Sequence, residues 1–131
     1  MTERVGTEPS VFTRILRGEI PSEIVLQTDD VFVIRDIAPQ APVHLLVIPK
    51  TDEHPDVVAL AEHDPRLLAE MVEVARVAAT QAGATDFRLI FNTGPGAGQT
   101  VFHVHAHVLA NPGTGLDEAT MAGGMPDGEE A

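Results

Sequence analysis

Three of the six histidines in this chain fall in one phrase, Phe102-His103-Val104-His105-Ala106-His107-Val108. Side chains in extended backbone alternate faces, so His103, His105 and His107 share one face while Val104, Ala106 and Val108 share the other. Burying the apolar face would fix the register, because a slip of one residue would drive three imidazoles into the core. A fourth histidine, His44, opens the apolar run Val43 to Ile48, and it reaches the same cluster if that run pairs with the histidine segment. Clustered imidazoles suit two tasks, metal ligation or phosphorus chemistry through a nitrogen nucleophile. Three solvated surface histidines are the plain alternative.

Spacing separates the two tasks. Same-face neighbours on a strand lie roughly 6.6 Å apart, which puts His103 and His107 about 13 Å apart at Cα. Zinc holds its nitrogens at about 2.0–2.1 Å, so a straight strand offers it two of the three rings, and His44 would have to be the third. Phosphorus chemistry needs no shared point: the middle ring attacks and the outer two orient it or meet the departing group. The loop Asn92-Thr93-Gly94-Pro95-Gly96-Ala97-Gly98-Gln99-Thr100 precedes the phrase. Its glycines let backbone N–H groups approach an anion, although the same composition also makes a flexible hairpin.

The elements that must position these groups follow from local signals. Ser10 caps a short amphipathic helix carrying Val11, Phe12, Ile15 and Leu16, up to Gly18. Ile24 to Gln27 and Val31 to Ile34 read as strands joined at Asp29-Asp30, and Val43 to Ile48 as a central strand. Asp64-Pro65 opens the longest helix, with Leu67, Leu68, Met71, Val72, Ala75 and Ala79 as its apolar stripe and Gly83 at its end. Phe87 to Phe91 and Thr100 to Leu109 complete a five-stranded sheet. Short connections favour an antiparallel α+β domain with one short and one long helix on a single face. The expected divisions are an N-terminal extension over 1–10, one domain over 11–110, and a mobile acidic tail over 111–131, where little can be buried.

Composition narrows the function classes. A chain of 131 residues with 44% hydrophobic residues suits one domain with a real core. No apolar run approaches the roughly 18 residues of a membrane span, and the start lacks a secretion pattern. Cysteine is absent, which removes disulfides and thiolate metal sites. A cytoplasmic protein without membrane attachment is expected. The net charge of −12 repels nucleic acid but leaves room for one nucleotide in a local pocket.

The phrase from Phe102 to Val108 resembles the histidine-triad pattern of the HIT superfamily. Val11-Phe12 through Gly18-Glu19-Ile20-Pro21, Asp36 through Lys50, and Asn92 through Thr100 are similar to its nucleotide-binding (HINT) branch. The resemblance implies a homodimer with one sheet continued across the interface, and a purine, AMP-like ligand with neither metal nor cofactor. It implies His105 as nucleophile with His44, His103 and His107 as partners. Asp36 would meet the ribose hydroxyls. Val11, Phe12, Ile15, Ile34 and Ile37 would line the base pocket, and Asn92, Gly98, Gln99, Thr100 and Val101 would surround the phosphate. Asp36 as a solvated turn residue and Phe12 and Ile15 as ordinary core are the plainer readings. His54 and His63 match no motif and are expected at the surface.

Two departures touch the leaving-group side: Ala110-Asn111-Pro112 stands where the branch continues with two glycines and an arginine, and tryptophan and tyrosine are absent. The expected activity is hydrolysis of purine nucleoside phosphoramidates or acyl-nucleotides through a nucleotidyl-histidine. A dinucleoside polyphosphate hydrolase, a nucleotide-binding module without turnover, and a zinc hydrolase using His103, His105 and His44 are the alternatives.

Overall fold

The computed structural model describes residues 8–116, so most of the acidic tail and the first residues lie outside the described part. In chain order the elements are α1 (Val11–Leu16), β1 (Ile24–Gln27), β2 (Val31–Arg35), β3 (Val43–Pro49), α2 (Val57–His63), α3 (Pro65–Gln81), β4 (Arg88–Ile90) and β5 (Ala106–Ala110). A single 3-10 turn, Pro95–Ala97, precedes β5. The five strands form one sheet in the order β1-β2-β3-β5-β4, antiparallel throughout.

Local chemistry starts and stops these elements as expected. The Ser10 side chain accepts the Thr13 N–H at the start of α1, and Asp64 accepts the Leu67 N–H at the start of α3, where Pro65 takes a position that needs no N–H donor. Asp64 also ends α2, its N–H bonding to the Leu60 carbonyl. That helix is absent from the sequence expectation. Asp56 caps it, but Leu60 is its one buried residue, so it carries no apolar stripe to read. On α3 the buried stripe is Leu67, Met71, Val74, Ala75, Ala78 and Ala79, whereas Val72 is exposed.

The sheet is covered on both sides, which corrects the single-face arrangement. On one side Val31, Val33, Leu45, Val47, Ala106 and Val108 pack against α2 and α3. On the other, Phe32, Ile34, Leu46 and Ile48 meet Phe12 and Ile15 of α1. Val43 to Pro49 is buried at every position, as a central strand between two layers must be.

The final strand is shorter than its sequence suggests. The β3–β5 register ends at the pair Val47 and Ala106. Beyond it Pro49 has no N–H to offer, its carbonyl takes the His103 side chain, and the Val104 N–H turns to the His54 carbonyl. Residues 100–105 therefore lie outside the ladder. The alternation nevertheless persists, because Val104 joins Ala106 and Val108 in the core under α3.

Candidate active site

Register brings the first pair of imidazoles together. On β3 and β5, His44 lies opposite Leu109 and Leu46 opposite His107, so the two histidines are diagonal neighbours on the α1 side of the sheet. Nε2 of His44 lies 3.0 Å from Nδ1 of His107. Asp36 follows β2 and extends the β2–β3 pairing by one step, its N–H bonding to the His44 carbonyl. Its Oδ2 stands 3.3 Å from His44 Nε2. Three adjacent strands thus place Asp36, His44 and His107 in a row, all buried.

The other two rings are held from the loop segment. His105 Nδ1 donates to the His103 carbonyl at 2.7 Å. His103 has Nε2 2.8 Å from the Pro49 carbonyl and Nδ1 2.6 Å from the Ser10 hydroxyl. Phe12 sets its ring edge-on against both, at centroid distances of 5.6 Å to His103 and 4.8 Å to His105. His105 and His107 are 5.6 Å apart. The structure therefore gathers all four expected histidines.

These partners assign the protons. A carbonyl only accepts, so His103 carries its proton on Nε2 and receives the Ser10 O–H at Nδ1. By the same rule His105 is protonated at Nδ1, which leaves the lone pair on Nε2. The Gln40 N–H only donates, and it donates to His44 Nδ1 at 2.9 Å, so His44 is protonated at Nε2. That proton faces Asp36 Oδ2 and His107 Nδ1, which puts the His107 proton on Nε2. Burial holds the His44 imidazole below its ordinary value, with the Asp36 carboxylate opposing part of the effect.

Asp36, His44 and His107 are also the group whose donor atoms, within 4.8 Å of one another, come nearest to a metal cage among the described residues. A ligand nitrogen needs a lone pair, and Nε2 of His44 carries a proton as long as Gln40 donates to Nδ1. The set does not fit a metal in this tautomer. The zinc trio His103, His105 and His44 does not converge either, since both nitrogens of His103 are bonded to Ser10 and Pro49.

Beside the histidines, a cavity of about 120 Å³ opens between α1 and β2. Val11, Phe12, Ile15, Ile34 and Ile37 line it as expected, although Ile37 is 82% exposed at its rim. Ile20, Leu46 and Val101 extend the apolar wall, and Pro21, Ser22, Arg35 and Asp36 also line the cavity. Of the residues expected around a phosphate, Val101 faces this cavity, and the Gln99 side chain turns inward. Gln99 Oε1 accepts the Gly94 N–H at 2.8 Å, and its Nε2 donates to the carbonyls of Pro55 at 2.7 Å and Val101 at 3.0 Å. Gly94 and Gly98 take φ of 89° and 94°, values that exact little from glycine alone. The N–H groups of Ala97, Gly98 and Gln99 bond within the loop, so these three do not form the open cradle that its glycines suggest.

Residues 17–113 match the family profile described as HIT domain. The chain belongs to the HIT domain family. Among its relatives, the purine nucleoside phosphoramidase of Escherichia coli K12 is 44% identical over 78% of this chain and 87% of that protein. A 14 kDa zinc-binding protein of Zea mays is 40% identical over 81% and 84%. A HIT family hydrolase from Clostridium thermocellum matches with a TM-score of 0.77 at 38% identity, covering 86% of this chain and 98% of that one. The five-stranded antiparallel sheet belongs to the fold that this chain shares with that structure.

Sequence reasoning missed four parts of it. Ser10 was legible as a cap but not as a partner of His103, 93 residues away. The Pro49 carbonyl and the Gln40 N–H are backbone groups with no sequence signature. His54 corrects a fourth expectation: it is buried, stacked on exposed His63 at 6.3 Å, and its carbonyl anchors Val104.

Proposed function

We propose that this HIT-domain protein is a hydrolase of purine nucleoside phosphoramidates or acyl-nucleotides that works through a nucleotidyl-histidine. The observation that carries the reading is the 2.7 Å contact that ties His105 Nδ1 to the His103 carbonyl and so leaves Nε2 as the nitrogen that can attack. The base occupies the apolar cavity between α1 and β2. Asp36 bonds the Ala38 N–H through Oδ1 and faces His44 through Oδ2, and its remaining lone pairs suit a ribose hydroxyl. Asn92, Thr100 and the backbone at Gly98 and Val101 border the phosphate.

Neutral His105 attacks the α-phosphorus, the P–N or P–O bond breaks, and the leaving amine takes a proton from the cluster. Water then displaces His105, releases the monophosphate and returns the proton. Covalent catalysis divides one difficult displacement into two, and a placed proton donor typically adds about 10²–10⁴-fold. The His107 Nε2–H serves the charge that develops on the phosphoryl oxygens. The unit we propose is a homodimer joined through the sheet. His105→Ala is expected to lower turnover of adenosine 5′-phosphoramidate by at least about 10³-fold while AMP binding stays within about threefold, by quenched-flow and calorimetry. Retained turnover would remove His105 from the nucleophile's role.

The zinc-binding relative supports a second reading, a metal held at Asp36, His44 and His107. The proton on His44 Nε2 weighs against it. Activity that a chelator abolishes and zinc restores would favour the metal.

A further inference from the structure

The Ser10 hydroxyl reaches the histidine cluster from the start of α1. Ser10 precedes α1, and its hydroxyl is bonded on two sides. It accepts the Thr13 N–H at 3.1 Å, which caps the helix that walls the cavity, and it stands 2.6 Å from Nδ1 of His103. The Thr13 hydroxyl is a weaker competitor at 3.3 Å. His103 is fully buried, with its other nitrogen on the Pro49 carbonyl at the end of β3, so its ring is pinned from opposite sides by α1 and the sheet. The carbonyl of this same residue receives Nδ1–H of His105. Residue 103 lies outside the strand ladder, so ladder hydrogen bonds do not fix that carbonyl.

We propose that Ser10 is a positioning residue for the nucleophile: its O–H holds the His103 ring, and thereby the carbonyl that aims His105. Only a hydroxyl placed at the helix cap satisfies both neighbours, because it accepts from Thr13 and donates to the ring at once. Loss of the bond lets residue 103 rotate and frees the proton on His105 Nδ1 from its fixed acceptor. An error of one ångström in a reacting group is enough to cost orders of magnitude in rate. The cap ties the base-binding helix to the reacting ring, so binding and chemistry share one side chain. This deepens the reading of the site given above and rests on it for the kinetic part.

Glycine caps a helix almost as well as serine but has no hydroxyl, so Ser10→Gly isolates the bond to His103. With adenosine 5′-phosphoramidate, Ser10→Gly is expected to lower kcat about tenfold while KM stays within about twofold, and Ser10→Thr to restore most of kcat. In ¹⁵N spectra of the imidazoles, the His103 Nδ1 resonance is expected to move in Ser10→Gly while that of His44 Nδ1 stays. An unchanged kcat in Ser10→Gly would overturn the proposal, as would a failure of Ser10→Thr to restore it. If the wild-type protein does not turn over the phosphoramidate, the reaction is wrong, and the resonance alone decides for Ser10: an unmoved His103 Nδ1 overturns its role.

Discussion

Three imidazoles of the cluster, His103, His105 and His44, face partners whose character leaves no choice: the carbonyls of Pro49 and His103 accept, and the Gln40 N–H donates. Accepting the Gln40 N–H keeps His44 neutral, and this ring shows the thermodynamic consequence. Its folded value lies below the ordinary 6.5, chiefly through burial, so the unfolded chain binds the proton first. The contribution to stability is complete above about pH 6.5 and is lost as pH falls toward the lower folded value, with a slope of at most about 1.4 kcal/mol per pH unit from this one ring. Urea midpoints measured at pH 7.5 and 5.5 are expected to fall further for the wild-type protein than for His44→Gln. Equal falls would show that this ring does not sense the proton. The residue types of the site were legible because alternate histidines and valines are a local pattern. Their hydrogen-bond partners were not, since Ser10 and His103 meet only after 93 residues of chain have folded.

At the scale of elements, the central strand β3 and the capped helix α3 were readable because a buried apolar run and an Asp-Pro start are both short-range signals. The run before β5 was misread for a physical reason. Extended backbone alternates its side chains whether or not it pairs, so residues 100–105 look like strand while Val104 bonds to His54. Helix α2 was missed because a helix with one buried side chain leaves no periodic trace. The strand β4 has three residues and forms one edge of the sheet. An edge strand offers unpaired N–H and C=O groups to a second chain. Joining through an edge predicts a sedimenting species of twice the 14.0 kDa chain mass at micromolar concentration, whereas a 14.0 kDa species would count against the homodimer.

Across the whole molecule, the two layers have separate work. The α2–α3 side holds the larger apolar cluster, while the α1 side combines a smaller one with every histidine of the site. Of that division, the sequence carried the opposition of Val104, Ala106 and Val108 to the three histidines, but not the placement of α1 across the sheet from α3, which only the folded chain decides. Phosphate sites in other proteins commonly draw their ligand with fixed cations, and added salt then weakens binding. Here the rings of the site bond to backbone groups, to Ser10 and to one another, and Arg14 of α1 and Arg35 of β2 pair with Glu19 and Glu23. The surrounding charge of −12 opposes an incoming nucleotide dianion, so mobile ions that screen it should help the nucleotide in. Titrating AMP calorimetrically from about 20 to about 300 mM potassium chloride, over which the Debye length shrinks below about 10 Å, should give equal or tighter binding at the higher ionic strength. Steep weakening would mean that a cation steers the ligand after all.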